Sequence, residues 1–261
     1  SLWFTHKPRI FRNAELRGGP RWRFSEENFK SIYYNSDDRK NFNYKIGIMH
    51  SQARENNFSF LKVEADFNYQ LFDSFNLSFS PEVEFRPNKT QYITQKDFDD
   101  TKRYILGTID NETIRATLRL NYTINPNLSI QYYAQPFISR GKYSDFKYVT
   151  NSTAKRLEDR YKLYESNQLQ LVDNTYFFDD NLDSNVDYSM SNPDFSVVQF
   201  NSNLVFRWEY IPGSELFLVW SQGIRTSVSI DESLFDGLQS GIIDYQPENI
   251  FLIKATYRFI L

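Results

Sequence analysis

Apolar and polar side chains alternate with a period of two along most of this chain, over segments of ten or more residues. From Ile114 to Ile124 one face holds Ile114, Ala116, Leu118, Leu120, Tyr122 and Ile124, and the other holds Arg115, Thr117, Arg119, Asn121 and Thr123. Leu128 to Ile138 repeats the pattern, as do Leu61 to Tyr69, Phe75 to Phe85 and Val198 to Tyr210. These segments are strands of a two-faced antiparallel sheet.

Strand length then separates two architectures. Sandwich strands run about 5–6 residues, whereas membrane-barrel strands need about 9–11 to cross the apolar layer at a tilt. Ten or more is the rule here. The competing reading, the core of a large soluble sheet, needs a second layer that the sequence does not encode. Connections alternate as well: Phe72-Asp73-Ser74, Asn125-Pro126-Asn127 and Pro212-Gly213-Ser214 are tight turns, while Arg140 to Ser196 and Ser227 to Asn249 are long and polar. Short turns on one rim and long loops on the other are the outer-membrane pattern.

Placing every tight turn on one rim requires a short descending strand at Lys89 to Gln95, through Gln91-Tyr92-Ile93-Thr94, and an ascending one at Arg103 to Ile109. Further strands are expected near Tyr44, Ile32, Trp22 and Phe4, and a last one from Asn249 to Phe259. The expected fold is all-β, a transmembrane antiparallel up-and-down barrel with about 12–14 strands in view. Complete single-chain bacterial barrels have an even count, so an odd total leaves two alternatives, a miscounted end strand or the C-terminal part of a larger barrel. The whole of 1–261 is expected to be one barrel domain with a long extracellular loop at about 140–196. Thr153 to Leu169, with Leu157, Tyr161 and Tyr164 at helical spacing, predicts a short helix inside that loop.

Composition agrees once the two faces are separated. The chain has 18 Tyr, 24 Phe and 4 Trp among 261 residues, yet its mean hydropathy is −0.59. An outward aromatic face and an inward Asn, Gln, Ser, Lys, Arg and Glu face average to such a value. Tyr69, Tyr122, Trp208, Tyr210, Tyr257 and Phe259 fall near the short-turn rim, where rings are favoured at a membrane–water boundary. No run approaches the roughly 20 apolar residues of a spanning helix. The chain opens at Ser1 without Met, a basic n-region or an apolar run, so targeting information is expected upstream.

Charge is nearly balanced, 30 Lys and Arg against 33 Asp and Glu, so a nucleic-acid partner is not expected. The absence of Cys excludes disulfides, thiol nucleophiles and thiolate zinc sites. No nucleophile elbow, phosphate loop or His-Glu-x-x-His is present, and His6 and His50 are the only histidines. No catalytic residue and no enzyme activity are expected.

The polar faces carry Lys62, Glu64, Asp66, Glu82, Glu84, Arg86, Arg115, Arg119, Arg207, Glu209, Lys254 and Arg258, which would line a barrel lumen. Five acids and seven bases do not make a single-sign selectivity ring, and cross-strand pairing that stiffens the wall is the favoured account. Asp37-Asp38, Asp99-Asp100 and Asp179-Asp180 read as solvated loop carboxylates. Asp179, Asn181, Asp183, Asn185 and Asp187 place oxygens at every second position, as calcium loops do, without the Gly and bidentate Glu of an EF-hand. No other cofactor is expected.

Several blocks resemble one family. Leu16-Arg17-Gly18-Gly19-Pro20, Leu120 to Ser129, Tyr133-Ala134-Gln135-Pro136-Phe137 with Tyr143 to Lys147, and Phe206 to Tyr210 with Pro212-Gly213-Ser214 are similar to the C-terminal barrel of a Bacteroidota outer-membrane family described as a domain of unknown function. The aromatic-ended last strand resembles an outer-membrane insertion signal, with Ile260-Leu261 as a small departure. Longer members of that family carry an N-terminal domain similar to family-nine carbohydrate-binding modules. The resemblance implies localisation in the cell outer membrane of a Gram-negative, Bacteroidota-like cell and contact with its lipid. A glycan ligand would come through an N-terminal module outside these residues. The expected role is a pore or transporter for a polar, by family association glycan-related, solute. The alternative is a structural or partner-binding subunit of an outer-membrane protein assembly with a plugged lumen. An outer-membrane hydrolase ranks third.

Overall fold

The computed structural model describes residues 1–259. In chain order its strands are β1 (Leu2–Lys7), β2 (Ile10–Arg12), β3 (Trp22–Phe24), β4 (Glu27–Asn35), β5 (Phe42–Ala53), β6 (Ser59–Phe72), β7 (Phe75–Phe85), β8 (Asn88–Phe98) and β9 (Thr101–Asn125). These are followed by β10 (Leu128–Val149), β11 (Tyr161–Leu163), β12 (Leu169–Val172), β13 (Thr175–Phe178), β14 (Tyr188–Ser191), β15 (Phe195–Ile211), β16 (Ser214–Ser227) and β17 (Glu248–Ala255). One helix, α1 (Leu234–Ile243), precedes β17. The fold is all-β, and every strand pairing is antiparallel.

A 12-stranded sheet dominates, with neighbours in the order β1-β4-β5-β6-β7-β9-β10-β15-β16-β17, while β8 pairs with β9 and β11 with β10. Among the described residues no pairing joins β1 to β17, so the sheet is open with those two strands as its edges. The expected Lys89–Gln95 strand exists but runs the other way. It is the front of β8, which continues upward from β7 after the Arg86-Pro87 break and pairs with the first half of β9. β9 is then one 25-residue strand rather than an ascending and a descending piece. Pro87 has no N–H to donate, so the ladder breaks between β7 and β8 while β9 passes both unbroken. All three tight turns still share one rim, without the two inserted strands.

That rim is bare. Pro212 and Gly213 make its last turn, with Gly213 at φ +78, the geometry that Pro at i+1 and Gly at i+2 of a type II turn supply. The opposite end carries the elaboration. The Arg140 to Ser196 segment is not one loop: β10 runs on to Val149, and β12, β13 and β14 form a small sheet of their own. No α-helix covers Thr153–Leu169, where two 3-10 turns (Glu158–Arg160, Ser166–Gln168) flank β11. Trp22 belongs to a separate β2–β3 hairpin rather than to the main sheet. The last strand stops at Ala255, short of Phe259, although the Thr256 backbone still exchanges hydrogen bonds with Glu215 at 2.8 and 3.2 Å. The Ile260-Leu261 departure lies outside the described residues.

Burial concentrates at the elaborated end. Ile105, Phe146, Tyr164, Phe178, Tyr188 and Met190 form one core between the β9–β10 extension and the small sheet. Leu16, Trp22 and Leu106 form a second beneath the β2–β3 hairpin. The adjacent Ile105 and Leu106 serve different cores because successive side chains of a strand point to opposite faces. The lower sheet differs: Ile32, Ile48, Val63, Phe79, Trp208, Leu218 and Ile253 all stay exposed on its apolar face.

Candidate functional site

The polar face of the lower sheet assembles four of the twelve charged residues expected there, Lys62, Glu64, Glu82 and Arg115, into one network with Lys45. Lys62 on β6 sits 2.9 Å from Glu64 on its own strand and 2.8 Å from Glu82 across on β7. Glu82 also accepts from Arg115 on β9 at 3.0 Å, and Lys45 on β5 reaches Glu64 at 4.0 Å. The register accounts for this, since Lys62 is opposite Glu84, Glu64 opposite Glu82, and Glu82 opposite Arg115. Lys62 bridges the like-charged Glu64 and Glu82, and with Lys45 and Arg115 at either side it makes a continuous chain of attraction across β5, β6, β7 and β9.

Other polar-face residues pair locally. Arg86 meets Glu84 at 2.9 Å, and Arg207 meets Glu209 at 3.7 Å and Glu215 more closely. Arg115 and Arg119 lie over the Phe137 and Tyr133 rings at 5.5 and 5.3 Å. Lys254 is 5.9 Å from the Phe217 ring, and Arg258 folds over Gly213 at the bare rim. Asp66 lies opposite Lys45 in the register. Exposed pairs of this kind contribute up to about 1 kcal/mol each, so the network orients a wall more than it stabilises a fold.

The aromatics expected at the boundary do gather at the bare rim. Tyr122 meets Phe72 and Phe75 edge-on at 6.0 and 5.8 Å, and Tyr69 meets Phe42 at 6.3 Å. Trp208 pairs with Tyr210 at 5.9 Å and Tyr257 with Phe259 at 4.7 Å. The Tyr210 hydroxyl donates to the Thr256 carbonyl at 3.0 Å, tying the chain's end to β15.

Where the polar face meets the cap, a cleft of about 270 Å³ opens, bounded by Glu27, Ala53 and Arg86 below and by Arg12, Glu15 and Phe24 of the hairpin segment above. Arg12 rests on the Phe24 ring at 4.5 Å. Burial holds the Glu15 carboxyl above its usual range, against the opposing pull of Arg12.

Two buried charged clusters in the cap escape a reading of the sequence alone. Asp180, expected to be a solvated loop carboxylate, is buried: Arg103 grips it through two hydrogen bonds of 2.9 and 3.1 Å, and Tyr188 donates to it. Tyr164 and Tyr188 share a hydroxyl contact of 2.6 Å. Arg103 itself lies between the Phe98 and Tyr148 rings, 4.6 Å from each. The hydrogen bonds to Asp180 push Arg103 further up, and burial pushes both tyrosine hydroxyls well above their ordinary range.

Arg160 is the second. It is wholly buried, grips Glu55 through two 2.7 Å bonds, and donates to the carbonyls of Arg23, Ala154 and Lys155 at 3.0, 2.9 and 3.1 Å. All five N–H groups are spent. It thereby fastens the β2–β3 hairpin, the β5–β6 connection and the cap together. Neither cluster could be read from spacing, because the partners lie 77 and 105 residues apart.

The alternating Asp179 to Asp187 oxygens are turned to backbone amides. Asp179 accepts from the Asp183 and Ser184 N–H groups at 3.1 and 2.9 Å, Asp183 from Asn185 at 2.8 Å, and Asp187 from Asp180 at 2.6 Å. Among the described residues no three His, Asp or Glu side chains converge as a metal site requires. His6 meets the Asn28 amide at 2.9 Å on exposed β1, and His50 stands exposed on the apolar face of β5.

Comparison with known proteins gives one family. The model of a domain of unknown function, DUF5916, matches residues 13–260. No curated protein and no solved structure matches significantly.

Proposed function

The chain belongs to the DUF5916 family, and from that premise we propose that it is an outer-membrane β-barrel, or the C-terminal part of one, acting as a pore or transporter for a polar solute. The observation that carries the proposal is the apolar face. Ile48, Val63, Phe79, Trp208, Leu218 and Ile253 lie exposed along one side of strands from β5 to β17. Soluble monomers rarely expose a contiguous apolar patch of more than a few hundred Å², and this one runs from edge to edge of the sheet. Lipid is the solvent such a face suits. The crossing segments in this reading are the lower strands, from the bare rim to about Ile114, Ile138 and Val198, and the ion-paired polar face turns inward.

The open edges favour this reading over a finished soluble sheet, since an apolar two-edged sheet in water is a template for aggregation. In a barrel, β1 and β17 would be joined through pairing with each other or through further strands. The cell outer membrane of a Gram-negative, Bacteroidota-like cell is the compartment, and its lipid the first partner. Heat-modifiable gel migration and dependence on detergent test the barrel; a monomer soluble in plain buffer overturns it. Single-channel conductance in a planar bilayer tests the pore.

The folded cap favours a second reading, a partner-binding subunit whose lumen is covered. Arg160 and Asp180 fix that cap with buried charge pairs, as a surface that must hold one shape for a partner requires. A reconstituted protein that never conducts, but conducts once residues 150–194 are excised, supports this second reading over the first.

A further inference from the structure

The connection between β16 and β17 returns to the apolar face of the sheet. Its helix α1 lies across the upper ends of β9, β10 and β15, with Leu238 packed on Ile138 and Val198 and with Ile114, Leu234 and Ile242 around them. Ile114, Ile138 and Val198 belong to the same face that carries Leu118, Ile130 and Phe206 lower down. Contact is close: a Cβ at Gly241 would stand 2.8 Å from the Val198 side chain. Only Gly lets the helix lie so flat on the strand.

Directly above this seat the same face becomes charged. Glu112 and Arg140, two positions beyond Ile114 and Ile138, pair at 2.6 Å. Arg140 also donates to the carbonyls of Ile230 and Glu232 in the segment leading into α1. The Ser240 hydroxyl donates to the Glu232 carboxylate at 3.1 Å, and the Ser233 hydroxyl caps the helix at the Asp236 N–H at 3.1 Å. The helix is therefore fixed on the outside of the sheet with one flank against the charged band.

Helical geometry divides the rest. At about 100° per residue, Leu234, Leu238 and Gly241 face the sheet, and Ser240 and Asp244 run along the flank next to Glu232. Phe235 falls on the opposite flank and Ile243 on the side turned away from the sheet, and they are 66% and 69% exposed. The height of the seat gives their exposure a meaning. From Leu128 at the bare rim to Ile138 is 138 − 128 = 10 residue steps along β10. At about 3.4 Å per step and a tilt of about 40°, that is a rise of about 26 Å, against an apolar barrel band of about 25 Å.

Resting on the membrane reading above, we propose that α1 is an interfacial helix, seated where the hydrocarbon gives way to headgroups at the elaborated rim, with Phe235 and Ile243 as its lipid contacts. Continuity with the exposed apolar face below it, and the level at which that face ends, identify the occupant as lipid. The helix caps the upper edge of the band as the rings of Tyr69, Tyr122 and Trp208 cap the lower.

The absence of native cysteine makes the test direct. F235C, I243C, D244C and F79C, each carrying a nitroxide, are reconstituted in phosphatidylcholine vesicles and compared for collision with oxygen and with a water-soluble nickel complex. All four sites are exposed, so the labels leave the cores intact. The proposal expects oxygen to dominate at 79, and at 235 and 243 to exceed its relative access at 244 several-fold, at a shallower depth than 79. Nickel access at 235 and 243 equal to that at 244, with 79 still in lipid, overturns the interfacial helix and leaves the barrel standing. Labels at 235 and 243 shielded from both reagents mean that a protein surface covers the helix, and overturn it likewise. A water-exposed 79 overturns the membrane reading itself.

Discussion

The two ends of β9 obey different rules although they belong to one strand. Below Ile114 its faces alternate strictly, apolar against charged, and both remain open to a surrounding solvent. Above Ile109 the alternation dissolves: Ile105 and Leu106 are adjacent, and both are fully buried, one in each of two cores. A strand with different solvents on its two faces must alternate, while a strand with protein on both has no reason to. The lower sheet is thus specified by its surroundings and the cap by its own packing. Changes in the cap should act through folding, and changes in the lower sheet through the environment.

The largest effect should come from unpairing a buried charge. E55A leaves Arg160 enclosed with no carboxylate, and breaking a buried pair from one side costs about 3–5 kcal/mol. For the proposed barrel, the expected result is a cap that is cleaved readily by protease while the lower sheet keeps heat-modifiable migration. Loss of both together would show that the two regions fold as one unit. F178A removes a fully buried ring from the first core and should cost about 3–5 kcal/mol, with the same selective proteolysis. F79A, at a site 41% exposed on the apolar face, should leave cap proteolysis unchanged.

A pH series separates the regions differently. Lys147, on the cap portion of β10, is 2% exposed, donates to the Lys89 carbonyl at 2.7 Å and the Thr108 hydroxyl at 3.0 Å, and burial pushes its ammonium down to about 8. Its folded value lies below the unfolded one, so below pH 8 both states are protonated and the burial penalty is constant. As pH rises through 8 the folded state releases a proton that the unfolded state keeps. Cap stability should therefore rise from about pH 8 by up to about 3 kcal/mol. Above about pH 10 the buried Tyr164 and Tyr188 hydroxyls, held protonated in the fold, act in the opposite direction. Urea titrations monitored by cap proteolysis at pH 7.5 and 9.5 should show the increase, and K147M should abolish it.

The same contrast explains what the sequence made legible. The long strands, the shared rim of the tight turns, the rim aromatics and the charged faces all follow from local alternation, which in the proposed barrel lipid and water enforce residue by residue. The direction of β8 did not follow, because nothing within the Asn88–Phe98 segment distinguishes an ascending from a descending strand, and only its partner fixes the choice. Arg160 and Asp180 were hidden for a related reason: in a segment rich in Asp, Lys and Tyr, nothing local distinguishes the charge that will be enclosed. The α1 helix was obscured in a polar stretch whose apolar residues, Leu234, Leu238 and Ile242, repeat at helical spacing over only ten residues.

The smallest effect should come from the polar face, and it tests the environment rather than the fold. Lys62 holds Glu64 and Glu82 within 2.9 Å from the centre of the network. K62M removes one positive charge and leaves the two carboxylates facing each other across β6 and β7. Both remain partly exposed, and Arg115 and Lys45 still reach them, so the loss should be about 1 kcal/mol or less and cap proteolysis should not change. If the face lines a water-filled lumen, the same change adds net negative charge to the wall, and conductance should shift toward cations at low salt and return at high salt as screening grows. A K62M protein with unchanged ion preference at every salt concentration would separate the network from any conducting path, and would leave Lys62 as one strut in a closed wall.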